Sequence, residues 1–267
     1  MSNKEIVRQG YDKVSYAYRN ENQSEGFSDY AAWLAELALL LPPQAKVLDL
    51  GCGCGVPAAQ TLAQQFSVVG VDISPVQIER ARNIVPNAEF ICADMTEVDF
   101  PAESFAAIIS LYAIIHIPLD EQPTMFAKFF KLLQPEGYLL VIVGSRAWTG
   151  VEENWLDVSG ATMFWSHADA ETYQSWLTEI GFKLRWSKFI AEGNGGHQLI
   201  FAQKPKEKCR ESEGAIEQII GREGETATFL SRCPLNLELR GFGFAPRQLN
   251  RSMPLGEIKA YVIDRRK

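Results

Sequence analysis

Acids and glycines recur in the first half of this chain wherever an apolar run ends. Leu48-Asp49-Leu50-Gly51-Cys52-Gly53-Cys54-Gly55 sets a carboxylate and three glycines at the end of a short apolar segment. Glycines there let a backbone approach a ligand where a Cβ would collide. Asp72 closes the next apolar run, 17 residues after Gly55. A carboxylate at that point accepts hydrogen bonds from both hydroxyls of a ribose. Asp94-Met95 follow a third run and Ser110-Leu111-Tyr112 end a fourth. The glycine spacing is GxGxG, not the GxGxxG of a dinucleotide fingerprint. Cys52 and Cys54 suggest a metal or a redox pair. Five cysteines with no CxxC pair, and only three histidines, argue against both. The two thiols read as small residues in a tight loop, with no metal site.

The elements that must position these residues alternate. "SDYAAWLAELALLL" (28–41) reads as a helix stopped by Pro42-Pro43, and "KVLDL" (46–50) as a strand entering the glycines. A helix over 56–66 follows, with Pro57 in its first turn, then a strand over 67–73 and a helix from Pro75 capped by Ser74. Strands over 88–94 and 105–111, a helix over 120–133 and a strand over 137–144 continue the series. Residues 145–167 read as a long irregular connection, 169–182 as a helix ending at Gly181. Strands over 183–190 and 197–203 are joined by only six residues, which predicts an antiparallel hairpin. The pattern is α/β: a doubly wound, mostly parallel sheet of seven strands, the last antiparallel.

With its glycine loop, Asp72, Asp94 and terminal hairpin, the chain resembles the class I S-adenosylmethionine-dependent methyltransferases of the small-molecule type. The likeness implies a Rossmann-like fold and S-adenosyl-L-methionine as cofactor. By it, Asp49, Gly51, Cys52, Gly53 and Gly55 cradle the methionine portion, Asp49 lying near the ammonium. Asp72 holds the ribose, Asp94 the adenine amino group and Met95 packs against the purine face, with Ile73 and Leu111 as further cofactor-binding residues. The Asn/Asp-Pro-Pro-Tyr sequence of enzymes that methylate nucleobase or glutamine nitrogens is absent after strand four, which fits a small-molecule acceptor. "YDKVSYAY" (11–18) resembles the lid helix of such enzymes, so Tyr11, Tyr16 and Tyr18 close over the site or simply pack.

On the acceptor side, His116 follows the fourth strand. Its ordinary pKa near neutrality suits a base, and packing beside the cofactor suits it equally. Tyr16, Tyr112, His116, Trp148, Trp165 and His197 are the candidate acceptor residues, the tryptophans lying in the long 145–167 connection. Transfer would go by in-line displacement to an O, N or C nucleophile. A silent cofactor-binding protein and an NAD-dependent oxidoreductase are the alternatives.

The formal net charge is −7, and it is unevenly spread. Residues 1–203 hold 13 Lys and Arg against 24 Asp and Glu, whereas residues 204–267 hold 13 against 9. An acidic body disfavours a nucleic-acid partner. No apolar run reaches the ~18 residues of a membrane span, and the first ten residues lack a secretory core, so a cytoplasmic protein is expected. Residues 1–203 read as the cofactor-binding domain. Residues 204–267 read as a linker and a small β-rich extension, which serves as an appendage, a dimer contact or a substrate cover and is too short for a robust core of its own.

Overall fold

The computed structural model describes residues 1–19 and 27–206. The β-rich extension and the dimer contact expected after the linker lie outside these residues. In chain order the elements are α1 (Asn3–Tyr18), α2 (Phe27–Ala38), β1 (Lys46–Leu50), α3 (Ala58–Leu62), β2 (Ser67–Asp72) and α4 (Pro75–Ile84). There follow β3 (Glu89–Cys92), β4 (Phe105–Ser110), α5 (Gln122–Leu132), β5 (Leu133–Gly144), β6 (Trp148–Glu153) and β7 (Thr162–His167). The last are α6 (Ala170–Ile180), β8 (Lys183–Glu192) and β9 (Gly195–Gln203).

Seven strands form one sheet in the order β3-β2-β1-β4-β5-β9-β8. The pairings β1–β2, β1–β4, β2–β3 and β4–β5 are parallel, and β9 runs antiparallel to both its neighbours. Every residue of β4 is buried, as a central strand covered on both faces requires. On one face Phe126, Phe129, Tyr173 and Leu177 of α5 and α6 fill the core. On the other, Leu34, Leu37, Leu62 and Ile78 come from α2, α3 and α4. Ser74 caps α4 by accepting from the Gln77 N–H at 3.1 Å, and Gly181 ends α6 at φ +115°. Among the described residues no helix is long and apolar enough to cross a membrane.

Two local expectations are corrected. The helix after the glycine loop is only Ala58–Leu62, because Val56 and Pro57 belong to the turn before it and residues 63–65 form the turn that leads to β2. The 145–167 connection is not irregular: β6 and β7 pair antiparallel from Trp148↔His167 to Glu153↔Thr162. This hairpin is stabilised from outside itself. Val7 and Val14 of α1 pack on its Met163 and Phe164, and that tertiary contact has no signature in the local sequence.

One buried amide ties the turn bearing His116 to the rest. Gln122 Nε2 donates to the carbonyls of Ile114 (3.2 Å), Ile117 (2.7 Å) and Ser166 (2.8 Å), while its Oε1 accepts from the Tyr173 hydroxyl at 2.7 Å. Gln122 and Tyr173 are both fully buried. Gln122→Leu removes all four of these bonds, so a loss of about 2–4 kcal/mol is expected in urea unfolding. A change below about 0.5 kcal/mol would show that the amide does not tie the turn down.

Candidate active site

Strands β1 and β4 lie side by side, but their neighbours in sequence lead away to opposite edges, so a crevice opens beyond their carboxyl ends. Ser110 Oγ stitches the two ends by donating to the Leu50 carbonyl at 2.7 Å. The chain then turns sharply. Gly51 has φ +76°, and a Cβ there would collide with that of Ala113, so only glycine fits. The Gly53 N–H donates to Asp72 Oδ2 and the Ser74 N–H to Oδ1, both at 2.9 Å. The glycine loop and the end of β2 are thereby locked into one rim. Cys52 and Cys54 are buried free thiols, and burial pushes the Cys52 thiol well up.

Asp49 and Asp72 line the same cleft. Asp49 is 2% exposed, and its Oδ2 has no hydrogen-bond partner. Desolvation, reinforced by the nearby Asp72 charge, raises its carboxyl to about 7. Desolvation likewise raises Asp72 to about 6 against the pull of the Ser74 and Gly53 N–H groups. A second orphan is Gln77 Nε2, a buried donor bordering the cleft whose Oε1 accepts from Ser15 Oγ at 2.8 Å. The cleft thus holds one unsatisfied acceptor and one unsatisfied donor.

Helix α1 roofs the cleft. Lys4 Nζ pairs with Asp94 Oδ2 at 2.8 Å and Glu121 Oε2 at 2.5 Å, and Asp94 Oδ1 accepts from the Thr96 N–H at 2.8 Å. Ser74 Oγ donates to Asp12 at 2.6 Å, and Arg80 Nη1 donates to the Ser15 carbonyl at 2.6 Å. Gly51, Cys52, Gly53, Ile73, Asp94, Met95 and Leu111 all border the cleft. Gly55, at φ +82°, shapes the loop from behind, facing Val85 and Phe90.

A chamber of about 400 Å³ adjoins the cleft and shares Tyr11, Tyr18, Tyr112 and His116 with it. Its walls are aromatic. Tyr11 meets Tyr18 and Trp155 edge-on at centroid distances of 5.5 Å, and the His116 ring lies 4.4 Å from that of Trp165. Both His116 nitrogens are engaged. Nδ1 lies 2.7 Å from the Phe164 carbonyl and Nε2 3.0 Å from the Tyr11 hydroxyl. A carbonyl only accepts, so Nδ1 carries the hydrogen and Nε2 receives the tyrosine's. Burial lowers this imidazole to about 4 despite the Phe164 carbonyl, so it is neutral and weakly basic near pH 7.

Tyr112, Trp165 and His197 line the chamber as well. Two expected acceptor residues do not. Tyr16 is 67% exposed and stacks on Arg80, whose guanidinium carbon lies 4.0 Å from the ring centroid. In a helix, Tyr11 and Tyr18 share a face that Tyr16 does not. Trp148 is 48% exposed at the outer end of β6. Trp155, another aromatic residue of the 145–167 connection, lines the chamber too, whereas Gln77, Lys4 and Glu192 carry no functional reading in the sequence. Only Gln77 left a signal, as a polar residue on the same helical face as Ile78 and Ala81.

The raised Asp49 carboxyl fixes a pH dependence of stability. A folded-state value near 7 against an ordinary 3.8 means its contribution is intact below about pH 4 and lost as pH rises through 7. Asp49→Asn in the ligand-free protein is therefore expected to melt higher than wild type at pH 8, by at most about 4 kcal/mol in stability. At pH 4 the two should converge. Equal melting at both values would mean that Asp49 has its ordinary pKa.

Residues 47–137 match a family model described as a methyltransferase domain. Phosphoethanolamine N-methyltransferase 1 of Arabidopsis thaliana is 40% identical over 107 residues, 38% of this chain and 21% of that protein. The Zea mays protein of the same name is 32% identical over 181 residues, 66% of this chain and 34% of that one. The 2-methyl-6-phytyl-1,4-hydroquinone methyltransferase of Synechocystis is 37% identical over 107 residues, 38% of this chain and 32% of the relative. The chain thus spans between a fifth and about a third of these relatives' lengths. Among solved structures, magnesium protoporphyrin IX methyltransferase from Synechocystis with bound S-adenosylmethionine superposes with a TM-score of 0.58 at 17% identity. That match covers 76% of this chain and 98% of the other. The PH0226 protein of Pyrococcus horikoshii gives 0.59 at 22% identity, covering 73% and 98%. The matched region carries the glycine loop, and the sheet order and superpositions show that the chain shares the fold of these solved structures.

Proposed function

We propose that this protein transfers the methyl group of S-adenosylmethionine to a small-molecule acceptor. The observation that carries the reading is the pair of orphaned atoms in the glycine-rimmed cleft, Asp49 Oδ2 and Gln77 Nε2. An amino-acid zwitterion satisfies both: its ammonium donates to the carboxylate and its carboxylate accepts from the amide. Asp72 accepts from the ribose hydroxyls, with Ile73 beside it. Asp94 holds the adenine amino group through lone pairs that Lys4 and Thr96 leave open, and Met95 and Leu111 flank the ring. The bound sulfonium supplies an already activated methyl group. What remains for the protein is alignment and exclusion of water, the tasks of an aromatic chamber closed by α1.

A small molecule as acceptor agrees with the chamber's size. The relatives named above act, by their names, on phosphoethanolamine and on 2-methyl-6-phytyl-1,4-hydroquinone. Tyr11, His116, Trp155 and Trp165 form the chamber's inner wall. In this role His116 is a neutral hydrogen-bonding partner of Tyr11 and orients that ring.

Calorimetry with S-adenosylhomocysteine against NAD tests the cofactor. Binding of the first alone is expected, weakened at least about tenfold in Asp49→Asn or Gln77→Leu. Because Asp49 must be ionised to receive an ammonium, affinity should rise from pH 6 to pH 8 in wild type and lose that slope in Asp49→Asn. Methyl-labelled S-adenosylmethionine with phosphoethanolamine, hydroquinone and a metabolite extract then tests transfer. Affinity for NAD without affinity for S-adenosylhomocysteine would overturn the reading.

A further inference from the structure

The chamber holds a second histidine, backed by a carboxylate. His197 of β9 sits in register with Gly144, the last residue of β5, and with Ile190 of β8. That register puts it at the carboxyl end of the parallel strands, where the cleft opens. Its backbone is fixed. Gly196 has φ +153°, and a Cβ there would run into the Ile190 carbonyl oxygen, while Ser145 Oγ donates to the Gly196 carbonyl at 2.6 Å.

His197 Nδ1 lies 3.1 Å from Glu192 Oε2, and Glu192 Oε1 accepts from the Tyr112 hydroxyl. Burial opposes ionisation of Glu192, but these two hydrogen bonds outweigh it and hold its carboxyl below the ordinary value. An ionised carboxylate only accepts, so Nδ1 carries the hydrogen and Nε2 keeps its lone pair. That Nε2 makes no hydrogen bond to any described residue. Tyr112 borders both the cleft and the chamber, and its ring centroid lies 5.3 Å from that of His197. His197 therefore stands one ring from the boundary between the two. His116 lacks these advantages: its Nε2 is taken by Tyr11.

Building on the methyl-transfer reading, we propose that His197, oriented by Glu192, is the general base that deprotonates a protic acceptor, a hydroxyl or an amine. The acceptor's proton passes to Nε2 as its lone pair forms the bond to the methyl carbon, and the electron pair of the broken C–S bond stays on the departing thioether sulfur. The histidine later gives the proton to water. A carboxylate behind the imidazole fixes its tautomer and supports the imidazolium that forms. His197 is the catalytic residue and Glu192 the positioning residue.

Two arms test this on the full chain. Ring ¹⁵N spectra of the ligand-free protein, assigned with His197→Asn, should show His197 as the Nδ1–H tautomer, turning to Nε2–H in Glu192→Leu. An Nε2–H tautomer in wild type, or no change in Glu192→Leu, would overturn the pairing. With labelled S-adenosylmethionine and catechol or phosphoethanolamine as probes, His197→Ala should lose about 100-fold in kcat. Affinity for S-adenosylhomocysteine should stay within about twofold, and added imidazole should restore part of the rate. Wild-type kcat in His197→Ala would sink the base alone. No transfer by wild type to any probe or extract would sink the methyl-transfer reading and the base with it.

Discussion

Two carboxylates share one desolvated cleft, and much of the architecture around it serves to hold them there. Asp49 at the end of β1 and Asp72 at the end of β2 come together because the two strands are parallel neighbours whose register pairs Asp49 with Gly70 and Leu50 with Val71. Burial alone would neutralise both groups. Asp72 is partly compensated by two backbone N–H groups from the glycine loop and the start of α4. Asp49 is not, and its bare oxygen makes the ligand-free cleft electrostatically incomplete. A cation that completes it gains what the fold alone forgoes.

The acceptor side follows a different logic. Its walls come from segments far apart in sequence: α1, the turn after β4, the β6–β7 hairpin and the β8–β9 hairpin. Few of them are held by strong local preference. Gln122 joins the His116 turn to β7 and α6, and Val7 and Val14 join α1 to the same hairpin. Tyr112, at φ +64°, turns out of the end of β4 in a conformation that tyrosine seldom adopts. Its hydroxyl donates to Glu192, 80 residues away in the chain. Rings supply shape there, and a few polar atoms supply direction.

This contrast explains how much could be read from the sequence. The glycine loop, Asp72, Asp94 and the terminal hairpin were legible because each is fixed locally: a turn that only glycine permits, an acid at a strand end, a short glycine-rich turn between two strands. The β6–β7 hairpin was not legible, because β6 is almost wholly exposed and shows no alternation, while β7 is buried through Met163 and Phe164 by contact with α1, far away in the sequence. Tyr16 was grouped with Tyr11 and Tyr18 by type, although helical spacing separates it from them. Glu192 was invisible for the opposite reason. An acid beside a turn is common, and its meaning comes only from Tyr112 and His197, which the sheet brings to it.

Helix α1 belongs to both rooms at once. Lys4 and Asp12 fasten it over the cleft, at Asp94 and Ser74, while Tyr11 and Tyr18 on the same helix wall the chamber. A rigid helix of 16 residues cannot lift from one without disturbing the other. Loading and emptying are thereby mechanically joined. An occupant of the chamber that holds the helix down would hold down the roof of the cleft as well.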